Sequence, residues 1–270
     1  MFSNLVVPVD FSTASISTLA AAAKMAAQVG GRVDALAIVD ESADVAALSY
    51  DLVRAIERLG PQPVQVRPLV HSGPNVVAAI NHHIEENPGS MVLMSSHGHG
   101  RSAAVLGSTV DELLRAMFGP VIVIGPHASG CSGRLDGTYV VPLDGSPRAE
   151  GVIPIVAPWA IEFNGRPWMV EVIDDGAGNS EPVIVQSSYV SGRADALAQQ
   201  ISRNVEFEVL HGRDVASSIV DFAKSQDATL IFMATHGRTG VERLAAGSVA
   251  ADVVRHATIP VVLFRPPDLR

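Results

Sequence analysis

Short apolar runs alternate along the chain with longer segments of helical spacing, and that alternation predicts the elements. Residues 5–9 form a β-branched run that Pro8 marks as ending. Asp10-Phe11-Ser12 then turns into an alanine-rich helical segment, 14–29, with Ser12 or Thr13 placed to cap it and Gly30-Gly31 to stop it. Next come an apolar run at 33–39, a helical segment at 44–59 closed by Gly60-Pro61, and a run at 64–70. A helical segment at 75–86 follows Gly73-Pro74, and runs at 91–95 and 121–124 complete the series. Strand and helix alternating in this way predict a parallel sheet with right-handed crossovers and helices on both faces.

The pattern then runs a second time. Apolar runs at 139–143, 169–173, 205–210, 230–233 and 261–264 repeat the five strands. Asp10 pairs with Asp144, His97 with His236, Gly107-Ser108 with Gly247-Ser248, Pro120 with Pro260, and Val70-His71 with Leu210-His211. Two places break the repeat. Pro154 and Pro158 predict a kinked or late-starting first helix in the second half. Residues 174–181, DDGAGNSE, read as a loop before a short, ragged helix. Between the copies, 126–136 has the Gly/Ser content and the lack of periodicity of a linker, so the expected domains are 1–127 and 136–270.

A chain of 270 residues holds two such units, each of about 130 residues and large enough for its own core. With 47% hydrophobic and 17% charged residues it can bury a sizeable core and does not read as disordered. A net charge of -9 without a basic stripe argues against nucleic acid as a partner. The start, MFSNLVVPVD, lacks the basic and apolar regions of a signal peptide, and no apolar run is long enough for a membrane span. Cys131 is the only cysteine, which rules out a disulfide within the chain and makes a reducing cytoplasm the expected setting.

The stretch richest in chemistry is 230–264, LIFMATHGRTGVERLAAGSVAADVVRHATIPVVLF, whose earlier copy is 92–124. An apolar run ends in Ala234-Thr235-His236-Gly237, and a second glycine turn, Gly247-Ser248, opens a helical segment. Glycines let backbone N–H groups approach an anion, and a helix N-terminus adds unpaired N–H groups and partial positive charge, so this is a phosphate-site pattern. In a doubly wound sheet the ligand binds beyond the carboxyl ends of the strands, where strand order reverses. If strand one neighbours strand four, Asp10 faces 95–98 and Asp144 faces 234–237. A carboxylate on one side and a glycine cradle on the other suit a nucleotide. The alternative for Asp144-Gly145-Ser146 is a plain turn with a helix cap.

These residues resemble the universal stress protein family, whose signature is a glycine, two residues, a glycine, nine residues, then Gly-Ser or Gly-Thr. The second half has Ala234, Thr235-His236, Gly237, nine residues and Gly247-Ser248, departing only at the first glycine. Its THGRTG and IPVVLF segments are also similar to the family. The first half has Ser95 at the first glycine and eight residues between Gly98 and Gly107. The resemblance covers both halves. It implies two Rossmann-like domains, each a five-stranded parallel sheet in the order 3-2-1-4-5 with helices on both faces. It implies an intramolecular pseudo-dimer through the apolar fifth strands, whose edges need cover; a further homodimer is left open. It also implies binding of an adenine nucleotide, ATP with Mg2+, in a regulatory or stress-response role. By position, Pro142 and Asp144 would contact adenosine, with Val172 beside the adenine. Met233, Ala234, His236 and Gly237 would line the ribose and phosphates, and Gly247, Ser248 and Val249 would hold the phosphate chain. The first-half counterparts are Pro8, Asp10, Ile38, Met94, Ser95, His97, Gly98, Gly107, Ser108 and Thr109.

The second half is the expected better site. One loop residue fewer shortens reach by up to about 3.5 Å, comparable to a hydrogen-bond length and enough to misplace phosphate donors. Other constellations carry less. Gly98-His99-Gly100-Arg101-Ser102-Ala103 matches a dinucleotide fingerprint literally, but it follows the fourth strand and the second half breaks it. His97 and His99 have no nearby Cys or carboxylate pair to complete a metal site. His82 and His83 are adjacent on a helix and read as solvated surface. Arg101 and Arg238 read either as phosphate-neutralising or as solvated loop residues. Nothing resembles a dedicated general base or an activated nucleophile, so at most slow ATP hydrolysis is expected. The competing reading, favoured by the substituted first glycines, is a partner-binding module without nucleotide.

Overall fold

The computed structural model describes residues 2–40, 42–98, 107–117, 119–128, 130–173, 183–237 and 246–267. In the first half β1 (Asn4–Pro8), α1 (Thr13–Ala27), β2 (Arg32–Val39), α2 (Val45–Arg58), β3 (Val66–Ser72), α3 (Val76–Glu86), β4 (Ser90–Ser95), α4 (Ser108–Ala116) and β5 (Val121–Ile124) follow one another. The second half repeats them as β6 (Gly137–Leu143), α5 (Pro147–Glu150), α6 (Ile153–Glu162), β7 (Gly165–Ile173), α7 (Val183–Ile201), β8 (Glu206–His211), α8 (Val215–Ser225), β9 (Ala228–Ala234), α9 (Ser248–His256) and β10 (Val261–Phe264). Short polar side chains start most helices. Ser12, Asp44, Asn75, Ser146 and Asp214 each accept from a first-turn N–H of α1, α2, α3, α5 and α8.

Two expectations need correction. The prolines do more than kink the first helix of the second half: it breaks into α5 and α6, with Pro158 inside the latter. The helix after 174–181 is not short; α7 runs 19 residues, because Val190, Ala194, Leu197 and Ile201 form a buried stripe at helical spacing. Residues 174–181 themselves lie outside the described residues. The segment between the halves packs against the first of them. Gln28 of α1 donates to the Gly133 carbonyl (2.7 Å) and accepts from the Leu135 N–H (2.9 Å), while Leu135 is wholly buried.

Hydrogen bonding orders the strands β3-β2-β1-β4-β5-β10-β9-β6-β7-β8. Within each half the pairing is parallel and the order is 3-2-1-4-5. The halves meet where β5 and β10 pair antiparallel, Ile122 opposite Val262, so the two fifth strands cover each other's edge. Two cores lie on the two faces of this joined sheet. One packs α1, α2, α6 and α7 around Leu5, Val7, Trp159 and Phe232. The other packs α3, α4, α8 and α9 around Val6, Ile80, Leu113, Ile231 and Val253. Each core crosses the seam. Because the seam is antiparallel, the carboxyl ends of the two sets of strands face opposite ends of the molecule.

His83 also departs from its expected surface place. It is only 4% exposed, and its Nε2 lies 2.9 Å from Oδ2 of Asp34, a wholly buried carboxylate on β2. Arg67 donates two hydrogen bonds to that carboxylate (2.9 and 2.8 Å) and Asn4 a third (2.8 Å). Burial pushes the Asp34 carboxyl up, but hydrogen bonds from Arg67, His83 and Asn4 outweigh it and hold the group below the usual carboxylate range. In the second half Trp168 and Phe222 take the corresponding places, as an edge-to-face pair with centroids 5.4 Å apart. His82 stays exposed beside Glu86.

Candidate functional site

Adjacent β1 and β4 diverge into their helices at the carboxyl end of the first sheet, and β6 and β9 do so in the second. Each divergence opens a crevice. The first, with a volume of about 270 Å3, gathers Pro8, Asp10, Ile38, Met94, Ser95, His97, Gly98, Gly107, Ser108 and Thr109. The second, of about 250 Å3, gathers Pro142, Asp144, Val172, Met233, Ala234, His236, Gly237, Gly247, Ser248 and Val249. All the residues singled out by position therefore converge on two cavities.

The aspartates are held by the helix caps that follow them. Oδ1 of Asp144 accepts from the N–H and hydroxyl of Ser146 (3.0 and 2.6 Å), and Ser146 in turn caps α5 by accepting from Ala149 N–H. Asp10 accepts from the N–H and hydroxyl of Ser12 (3.0 and 2.5 Å) and also from the Ser15 hydroxyl (2.7 Å). Cap and site are thus not alternatives: the serine caps the helix and fixes the carboxylate at the crevice wall. Across the crevice, a Cβ on Gly237 would overlap the Asp144 carboxylate, and one on Gly98 would overlap that of Asp10. A side chain at either position would have to push the facing carboxylate aside.

The floor is built by the glycine turns. Gly247 N–H donates to the Thr235 carbonyl (2.7 Å) and Gly107 N–H to that of Ser96 (2.8 Å), folding each turn back onto its strand exit. Gly107 and Gly247 are also the N-caps of α4 and α9, and neither helix start receives a side-chain cap. Both glycines have negative φ, -59° and -65°. Their small size, rather than left-handed backbone, is what the turn uses: a Cβ there would sit 3.1 and 3.2 Å from the Ser96 and Thr235 carbonyl oxygens. First-turn N–H groups facing a cavity without a side-chain acceptor form a ready anion site.

His236 is 2% exposed, with Nδ1 3.1 Å from the Thr235 hydroxyl, and His97 sits likewise 3.2 Å from that of Ser96. No group of three metal-ligating side chains occurs among the described residues. His99, Arg101, Arg238 and most of the literal dinucleotide fingerprint lie outside the described residues. The two linings differ at several matched positions, Thr109 against Val249 among them. Ser15 and Ser95 stand in the first where Ala149 and Ala234 stand in the second. Ser95 turns its hydroxyl to the His97 carbonyl (2.8 Å). Sequence reasoning missed Val76 and Val215, which enter from α3 and α8. Their signal was present in the paired exits of the third strands, each followed by a turn and a capping Asn75 or Asp214.

The universal stress protein family model matches residues 1–125 and again 138–265. A universal stress protein of Methanocaldococcus jannaschii is 30% identical over 139 residues, 47% of this chain and 81% of the relative. One from Mycolicibacterium smegmatis is 30% identical over 192 residues, 65% of this chain and 62% of the relative. Among solved structures, a universal stress protein of Archaeoglobus fulgidus aligns with a TM-score of 0.63 at 19% identity, covering 99% of this chain and 97% of its own; that likeness concerns the fold.

Proposed function

This chain belongs to the universal stress protein family, and on that premise we propose that it is a regulatory, stress-response protein that binds an adenine nucleotide, ATP in the first instance, through two domains spanning 1–127 and 136–270. The observation that carries the reading is the pair of uncapped helix starts. The start of α6 is uncapped as well, but α4 and α9 begin at glycines and their first residues line the crevices. A phosphate chain supplies the missing acceptor. Asp144, held by Ser146, is set to accept from ribose hydroxyls, and Val172 and Pro142 give the base an apolar wall. The residues present fit the nucleotide. Mg2+ would ride on its phosphates, neutralising charge there. Acting in the cytoplasm is consistent with a protein in which no described helix is long and apolar enough to cross a membrane.

The test is mass spectrometry of the denatured, filtered protein after purification without added nucleotide, followed by calorimetric titration with Mg2+-ATP. Copurified adenine nucleotide, or saturable binding, is expected. Absence of both would favour the competing reading, a partner-binding module, which draws on Ala234 and Ser95 at the family's first-glycine positions.

A further inference from the structure

Outside the two crevices, a groove of about 510 Å3 lies between α1 and α2 in the first half. Its floor is Phe11, Ile16, Leu48, Ala55 and Leu59, all half-buried. Its rim carries Arg54, Arg58 and Asp51. The groove exists because α2 is badly seated. Leu52 is its one wholly buried side chain, and Tyr50 stands 63% exposed. The second half packs this place differently. There α7 lays its buried stripe against α6, and Tyr189 and Arg193 close the contact by binding Glu150 (both 3.0 Å). In the first half the corresponding place is left as an open groove.

A second observation marks the same spot. Phe11 has φ 63°, a left-handed conformation that costs an L-residue energy; its counterpart Gly145 has φ 79° and no such cost. Strain of this kind persists where the surroundings over-determine it and clusters at functional positions. Here it places an aromatic ring on the groove floor. Neither Arg54 nor Arg58 is ion-paired among the described residues, and Arg54 lies 5.8 Å from the Tyr50 ring centroid. Two guanidiniums against one carboxylate make the rim locally cationic on a chain of net charge -9.

We propose that this groove is a ligand site for an amphipathic carboxylate, a medium-chain alkanoate being its simplest form. The alkyl chain lies on Phe11, Ile16, Leu48 and Leu59, and the carboxylate is held by Arg54 and Arg58, which share a helix face at i, i+4. The volume falls within the range of about 300–1,000 Å3 typical of small-molecule sites.

The test uses the full 15N-labelled chain titrated with decanoate, decanol and decyltrimethylammonium, each below its micelle concentration. Saturable decanoate binding is expected, with amide shifts confined to 10–17 and to α2. Decanol should bind about tenfold more weakly or less, and the ammonium probe not detectably. Arg54→Glu with Arg58→Glu should cost at least about tenfold in decanoate affinity. Ala55→Trp, which fills the groove, should abolish binding with an unchanged circular dichroism spectrum. Equal binding of all three probes, shifts centred on the Pro142 crevice, or indifference to the paired Arg substitutions would overturn the proposal. So would shifts of the groove amides on raising protein concentration alone, which would identify a second copy as the occupant.

Discussion

Glycine serves two different purposes within each crevice, and single substitutions separate them. A Cβ at Gly237 would push the Asp144 carboxylate aside, whereas one at Gly247 would crowd the backbone where the α9 turn folds onto Thr235. Gly247→Val adds a branched side chain at the helix start, in the path of an incoming anion. Each charge-assisted hydrogen bond lost is worth about 1.5–3 kcal/mol, so losing two should weaken nucleotide binding by about a hundredfold or more. Gly107→Val meets nearly the same steric resistance, 3.1 against 3.2 Å to a carbonyl oxygen. The two variants therefore carry matched strain, and a difference in affinity reads out the shorter first-half loop. Calorimetric titration with Mg2+-ATP should show Gly247→Val crippling the tighter site and Gly107→Val changing little. The opposite pattern would reverse the assignment of halves, and no change in either would remove the phosphates from these turns. The crevice residues were legible because repetition fixes position: a motif that recurs at the same strand exit can be placed without knowing the loop. Phe11 and Asp34 were not. Left-handed backbone at a phenylalanine has no local signature, although alignment with Gly145 points to it. A lone aspartate in a strand reads as an interruption until Arg67 and His83 arrive from distant segments.

Elements were legible where periodicity and breakers agreed, as in β5 and β10, whose bounds match the apolar runs. They were misread where tertiary packing decided the outcome. The polar run before α7 suggested a weak helix, yet the buried stripe that stabilises α7 is only meaningful once α6 lies beneath it. The same contrast separates α2 from α8. Both are capped by an aspartate, Asp44 accepting from Ala46 and Ala47 N–H groups and Asp214 from that of Ser217. Losing such a cap costs about 1 kcal/mol. In α8 that loss is cushioned by Ala216, Ile219, Val220 and Ala223, all buried; in α2 only Leu52 is. Asp44→Ala should therefore fray α2 locally, with a clear loss of amide protection along Val45–Arg58 in hydrogen exchange and a small change in global melting. Asp214→Ala should lower global stability by a similar amount without exposing α8. Equal fraying of both helices would mean that packing does not distinguish them.

At the scale of the whole molecule the duplication has kept the sheet and changed what pins its two outer flanks. Aromatic packing of Trp168 on Phe222 does not titrate, whereas the Asp34 network does. Its folded pKa lies below the ordinary value of about 3.9, so its stabilisation is fully present above that value and is lost as pH falls through the lowered one. The protonated acid would leave Arg67 and His83 facing a neutral group, with Asp34 itself wholly buried. Asp214 in the second half is also held low, first by the Ser217 hydroxyl, but it is exposed and competes with solvent, so it contributes little to the balance. Acid should thus loosen the first half before the second. Trp159 and Trp168 both belong to the second half; Trp168 packs on Phe222 there, whereas Trp159 also meets Phe2 of the first half, so the emission of Trp168, read in a Trp159→Phe background, is the reporter of the second half. On titration below pH 4, amide protection in β2 and β3 should fall at a higher pH than the Trp168 red shift. Asp34→Ala should cost toward the low end of about 3–5 kcal/mol, since Arg67 can turn to water, and should remove the interval between the two events by weakening the first half at every pH. If β2, β3 and Trp168 respond together with Asp34 intact, the shared core across the β5–β10 seam couples the halves more strongly than the Asp34 network divides them.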